Sequence, residues 1–87
     1  MKVSGTKSYV DIECEGKTAR FQGELLIHGF EAIASTMEWL SPKPGDQVSE
    51  EDRVRLISMI QKHFRWKRFK VFFVDDKGEK YHRASRR

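Results

Sequence analysis

The sequence predicts an α+β domain: a small antiparallel sheet in the order β-β-β-α-β, with one amphipathic helix packed on one face. Three observations predict it. Residues 7–14 and 19–25 alternate apolar with polar, and period two is the signature of a strand half in a core. Leu56, Ile57, Ile60 and Phe64 recur at i, i+3, i+4 spacing, which places them on one side of a helix. Phe69 to Val74 is aromatic and β-branched, the composition of a buried strand. One helix on an antiparallel sheet is the economical way to bury all three.

In chain order, Val10, Ile12 and Cys14 share one face of the first strand, with Tyr9, Asp11 and Glu13 on the other. Glu15-Gly16-Lys17 forms a turn, because Gly accepts positive φ without steric cost. Ala19, Phe21, Gly23 and Leu25 then alternate with Arg20, Gln22 and Glu24 in a second, antiparallel strand. His28-Gly29 reads as a tight hairpin turn, followed by a third strand over Phe30 to Met37. The same stretch also fits helical spacing through Phe30, Ile33, Ala34 and Met37.

Pro42 and Pro44 mark a loop, since proline removes donors and fixes φ. Ser49 offers an N-cap hydroxyl, and Glu50, Glu51 and Asp52 set acidic groups over the first helical turn, where the dipole favours them. The helix is expected to end between Phe64 and Lys67, with Lys62, Arg65 and Lys67 near its negative pole. Asp76-Lys77-Gly78 is a turn, and Glu79 to His82 is a candidate last edge strand.

A chain of 87 residues suits a single domain, 1–87, with an ordered core over about 7–82 and a solvated tail at Arg83, Arg86 and Arg87. The single Cys14 excludes an internal disulfide framework and fits a reducing, cytoplasmic compartment. The longest apolar run, Val71 to Val74, is far short of the ~18 residues a membrane span needs. The start, Met1 to Thr6, is too polar for a secretory signal. Net charge is +4, made of −1 over residues 1–45 and +5 over residues 46–87. A basic half attracts nucleic acid, a membrane surface or an acidic protein, and charge alone does not choose among them.

Catalytic and metal chemistry find no support. His28, His63, His82 and Cys14 include no pair at ligand spacing, so neither metal nor cofactor is expected. Cys14 lies on the apolar face of its strand, where a cysteine behaves as a small hydrophobe. Glu50-Glu51 is helix-cap chemistry and Asp75-Asp76 is turn chemistry. The informative segment is the basic-aromatic run His63 to Lys70. Nucleic-acid binders set cations for phosphates beside aromatics for bases, but this run lacks the glycines of an RNA-recognition strand. Its plainer reading is a cation-rich helix end leading into a core strand. Interfaces concentrate energy in Trp and Arg, which makes Arg65, Trp66, Arg68 and Trp39 the candidate partner-binding residues. Trp39, beside the proline loop, equally suits a plug at the end of a small core.

With these residues in place, the chain resembles the immunity protein 74 family of bacterial polymorphic toxin systems. The resemblance rests on Gly23-Glu24, on Trp39 with Pro42, and on the acidic helix start Glu50-Glu51-Asp52-Arg53. It continues through Ile57 and Ile60 to the strand Phe69–Val74, about Tyr9 to Asp75 in all. The family pattern has a Gly near the turn before the final strand, where this chain has Trp66-Lys67-Arg68. The resemblance implies a non-enzymatic α+β protein that binds a cognate protein toxin and neutralises it. The reading from another class is a basic nucleic-acid-binding accessory domain.

Overall fold

Glu15 and Gly16 both take positive φ, 55° and 78°, so the chain reverses in two residues. That geometry matches the twist of the strands it joins, β2 (Tyr9–Cys14) and β3 (Lys17–Leu26). The computed structural model describes residues 1–41 and 43–81. Among the described residues the chain is α+β, with six strands in one open sheet and one α-helix. The sheet runs β1 (Lys2–Gly5), β2, β3, β4 (Gly29–Ile33), β6 (Lys70–Val74). The remaining strand, β5 (Glu38–Ser41), pairs with β3 on the edge that β4 also uses.

Ser49 caps the helix α1 (Glu50–His63): its Oγ accepts from Asp52 N–H at 3.0 Å. That satisfies one of the orphan donors of the first turn. Leu56, Ile57 and Ile60, with Phe64 just beyond the last turn, press on the sheet face built by Val10, Ile12, Ala19, Phe21, Phe30, Ala32, Val71 and Phe73. Phe21, Phe30, Ile12 and Ile60 are the largest side chains wholly removed from water. Phe21 and Phe73 meet edge to face with centroids 5.2 Å apart, a favoured geometry for aromatic pairs.

Four expectations need correction. The hairpin turn is Ile27-His28, and Gly29 already belongs to β4, opposite Leu26. The third strand stops at Ile33 and not at Met37. A 3₁₀ turn, Ala34–Thr36, interrupts it before β5 begins. The Thr36 hydroxyl holds that break: it donates to the Ile33 carbonyl at 2.6 Å and accepts from Gln22 N–H at 2.8 Å. One side chain thus satisfies the backbone groups that a continued ladder would have used.

The sheet is not wholly antiparallel either, because β6 runs parallel to β4. A parallel partner needs a long crossover, and here it contains β5 and α1. The expected last strand is reduced to one bridge, Val74 with Lys80, and its end at His82 lies outside the described residues, as do Arg83, Arg86 and Arg87. β1, in a stretch whose polar sequence shows no alternation, adds an edge strand beside β2.

Candidate partner-binding surface

The chain leaves α1 through Phe64 and reaches β6 at Lys70. Lys70 turns back over this exit, and its Nζ donates to the carbonyls of Phe64 at 3.0 Å and Arg65 at 2.7 Å. A cation on the last carbonyls answers both the orphan acceptors and the negative end of the helix. With the exit pinned, Arg65, Trp66, Lys67 and Arg68 project into solvent. Trp66 is 89% exposed, and the Arg65 guanidinium stands 5.6 Å from its ring centroid. His63, just before the exit, meets the Phe64 ring edge-on at 4.9 Å. Desolvation, helped by the charges of Lys67 and the N-terminus, pushes its pKa below the ordinary 6.5.

A second apolar element joins this exit. Lys70 pairs with Gly29, and its N–H donates to the His28 carbonyl at 3.0 Å. This sets the tip of the β3–β4 hairpin beside Phe69. At that tip Ile27 is 90% exposed, and Leu25 and Leu26 are also open to water. Leu25, Leu26, Ile27, Trp66 and Phe69 are all exposed on these two joined elements, and contiguous exposed apolar patches mark interaction sites. Between the tip, β1 and the helix exit lies a groove of about 490 Å³, walled by Val3, Gly5, Leu25, Phe30, Phe64 and Phe69.

The structure therefore brings Arg65, Trp66 and Arg68 to one exposed corner. Trp39 lies elsewhere: it is 8% exposed, sits opposite Ala19 on β5, and has Lys17 Nζ 5.2 Å from its ring centroid. That is the core-plug position. Sequence reasoning does not single out the hairpin tip, although three consecutive apolar residues, Leu25-Leu26-Ile27, break the alternation just before the turn.

The sheet face away from α1 has a different character. Register places Asp11, Glu13, Arg20, Glu24, Glu31 and Glu38 on it. Arg20 is held by Asp11 through two hydrogen bonds, at 2.7 and 3.0 Å, and its guanidinium lies 3.7 Å from the Tyr9 ring centroid. The Asp11 hydrogen bonds keep the Arg20 pKa above its ordinary value. Cations thus dominate the helix exit, whereas acids outnumber cations on the open face.

Cys14 is half-buried against the core. Among the described residues, no three of His, Cys, Asp and Glu converge as metal ligands, and no helix is long and apolar enough to cross a membrane.

No curated protein and no solved structure matches this chain. A family model, that of immunity protein 74, matches residues 2–74, from the first residue of β1 to the last of β6. The residues behind the resemblance hold structural posts. Gly23 lets the Glu31 carbonyl approach where a Cβ would stand, Trp39 closes the core, and the acids after Ser49 open the helix. With the match running through the whole sheet and its helix, the chain belongs to the immunity protein 74 family.

Proposed function

We propose that this protein neutralises a cognate protein toxin by stoichiometric binding, covering the toxin's working surface without catalysis and without a cofactor. The observation that carries this reading is the family match over residues 2–74. The contact is assigned to the helix exit, Arg65, Trp66 and Arg68, extended by Ile27 at the hairpin tip. The support is exposure: Trp66 and Ile27 are about nine-tenths open to water, and Trp and Arg dominate interface energetics. Trp39 contributes from within, by holding β5 in the core.

The test is co-expression with each candidate toxin encoded by a neighbouring reading frame. Wild-type protein should restore growth and form a one-to-one complex. Joint replacement Arg65→Ala and Trp66→Ala should cost about 2 kcal/mol or more in binding, roughly 30-fold in Kd. Its thermal midpoint should stay near wild type, because both side chains are exposed. Undiminished protection by the double variant would move the interface elsewhere, and absence of any complex would remove the toxin reading.

A further inference from the structure

The groove beside the helix exit has apolar walls and a rim of one sign. Its lining includes Lys7 and no acidic residue. Phe64 and Phe69 form one wall, and the chain between them carries Arg65, Lys67 and Arg68, again without an acid. Glu24, the neighbour of Leu25 in sequence, lies on the opposite face of the sheet, because successive strand residues alternate. Phe30 and Phe64 are buried, at 1% and 6% exposed, whereas Leu25 and Phe69 are open at 46% and 39%. This is an open apolar recess with Lys7 in its lining and Arg65, Lys67 and Arg68 on the chain that links Phe64 to Phe69, a setting that repels a basic visitor and attracts an acidic one.

We infer that the groove bounded by Val3, Gly5, Leu25, Phe64 and Phe69 receives an apolar side chain carried on an acidic segment of the partner protein. The inference rests on the toxin-binding reading for the partner's identity, and it adds the chemistry by which that partner is recognised. The buried side chain supplies affinity, because a pocketed apolar anchor is the usual centre of an interface. The surrounding carboxylates of the partner supply orientation and association rate against Lys7, Arg65, Lys67 and Arg68. Among the described residues β1 pairs on its β2 side alone, so the groove's outer wall also offers backbone groups to an extended segment.

The experiment uses the isotope-labelled protein and three synthetic hexapeptides: alternating Glu and Leu, alternating Lys and Leu, and alternating Glu and Ala. The Glu–Leu peptide should shift the amide resonances of Val3, Leu25, Phe64 and Phe69, and bind at least ten-fold more tightly than either control. Leu25→Asp should abolish that preference, and Leu25→Gln should reduce it, both with an unchanged thermal midpoint. Equal binding of the three peptides, shifts confined to the acidic sheet face, or displacement of the Glu–Leu peptide by an equimolar oligonucleotide would each overturn the inference. A wild-type protein that protects cells while failing to discriminate the peptides would leave the toxin reading standing and the groove rejected. Peptide discrimination without toxin capture would do the reverse.

Discussion

Gly29 and Lys70 face each other across the β4–β6 pair so closely that the Lys70 carbonyl fills the space a Cβ on residue 29 would need. This approach ties the hairpin tip to the helix exit, and so assembles the exposed surface from two distant parts of the chain. Gly29→Ala sets a methyl group against backbone, which cannot swing aside as a side chain can. Destabilisation of about 1–3 kcal/mol is expected, as for other overpacked sites. Urea unfolding measures it, and an unchanged midpoint would mean that β4 and β6 have slack at this register.

Trp39→Ala should be among the most damaging truncations in the core. Its ring is buried on β5 opposite Ala19 of β3, and removing a large aromatic costs about 3–5 kcal/mol. The whole domain is expected to hold only about 4–13 kcal/mol. Loss of the cooperative thermal transition is therefore a realistic outcome, and Trp39→Phe should recover much of it. A variant that keeps its wild-type midpoint but fails to bind toxin would place Trp39 in the interface instead.

Glu24 and Glu31 stand directly opposite each other on β3 and β4. Like charges in that position are destabilising, and neither carboxylate has a salt bridge among the described residues. Glu24→Lys converts the repulsion into an attraction. The expected gain is ~0.5–1 kcal/mol, which raises Tm by roughly 2–8 °C in a domain of this size. If Tm rises while toxin capture collapses, the acidic open face is part of the binding surface, and the helix exit is not sufficient by itself.

Much of this fold is legible in the sequence. The Ser49 cap, the helix stripe through Leu56, Ile57, Ile60 and Phe64, and the strands β2 and β3 all follow from local periodicity and local capping. Non-local partners are what local patterns miss. The parallel pairing of β6 with β4 depends on where the crossover returns, which no local pattern encodes. The break at Ile33 depends on Thr36 reaching Gln22, fourteen residues away, and the hydroxyl pair Ser35-Thr36 is its faint signal. Of the surface, Arg65, Trp66 and Arg68 are visible as a run. Ile27 is not, because a single exposed apolar residue means nothing until the fold ties its hairpin tip to Lys70 at the helix exit.

Stability should depend on pH through His63. Burial holds its folded pKa below the unfolded value of 6.5, so the unfolded chain takes up the proton first as pH falls. This contribution to stability is fully present above pH 6.5 and is lost as pH drops toward the folded pKa. The His63→Gln variant should show a flatter profile across that window. A wild-type midpoint that rises on acidification through the same range would contradict the sign.

Binding to random nucleic acid should be weak, because the cations that look available in the sequence are partly engaged. Arg53 pairs with Glu50 at 2.7 Å, Arg55 with Glu15 at 2.9 Å, and Lys70 is committed to the helix-end carbonyls. That leaves Lys62, Arg65, Lys67 and Arg68 near the exit. Each neutralised phosphate adds about −0.9 to the slope of log K against log salt, so four of them give at most about −3.6. A Kd no tighter than about 10⁻⁵ M near physiological salt is expected, within the ordinary range of non-specific binding. Titration of a labelled duplex and a labelled single strand at two salt concentrations measures both quantities. Exposed Trp66 gives single strands a stacking surface, so any preference should favour them, and Trp66→Ala should erase it. Sub-micromolar affinity with a slope near about −3.6 would make the helix exit a nucleic-acid site, and the toxin-binding role would then have to be sought on the acidic face of the sheet.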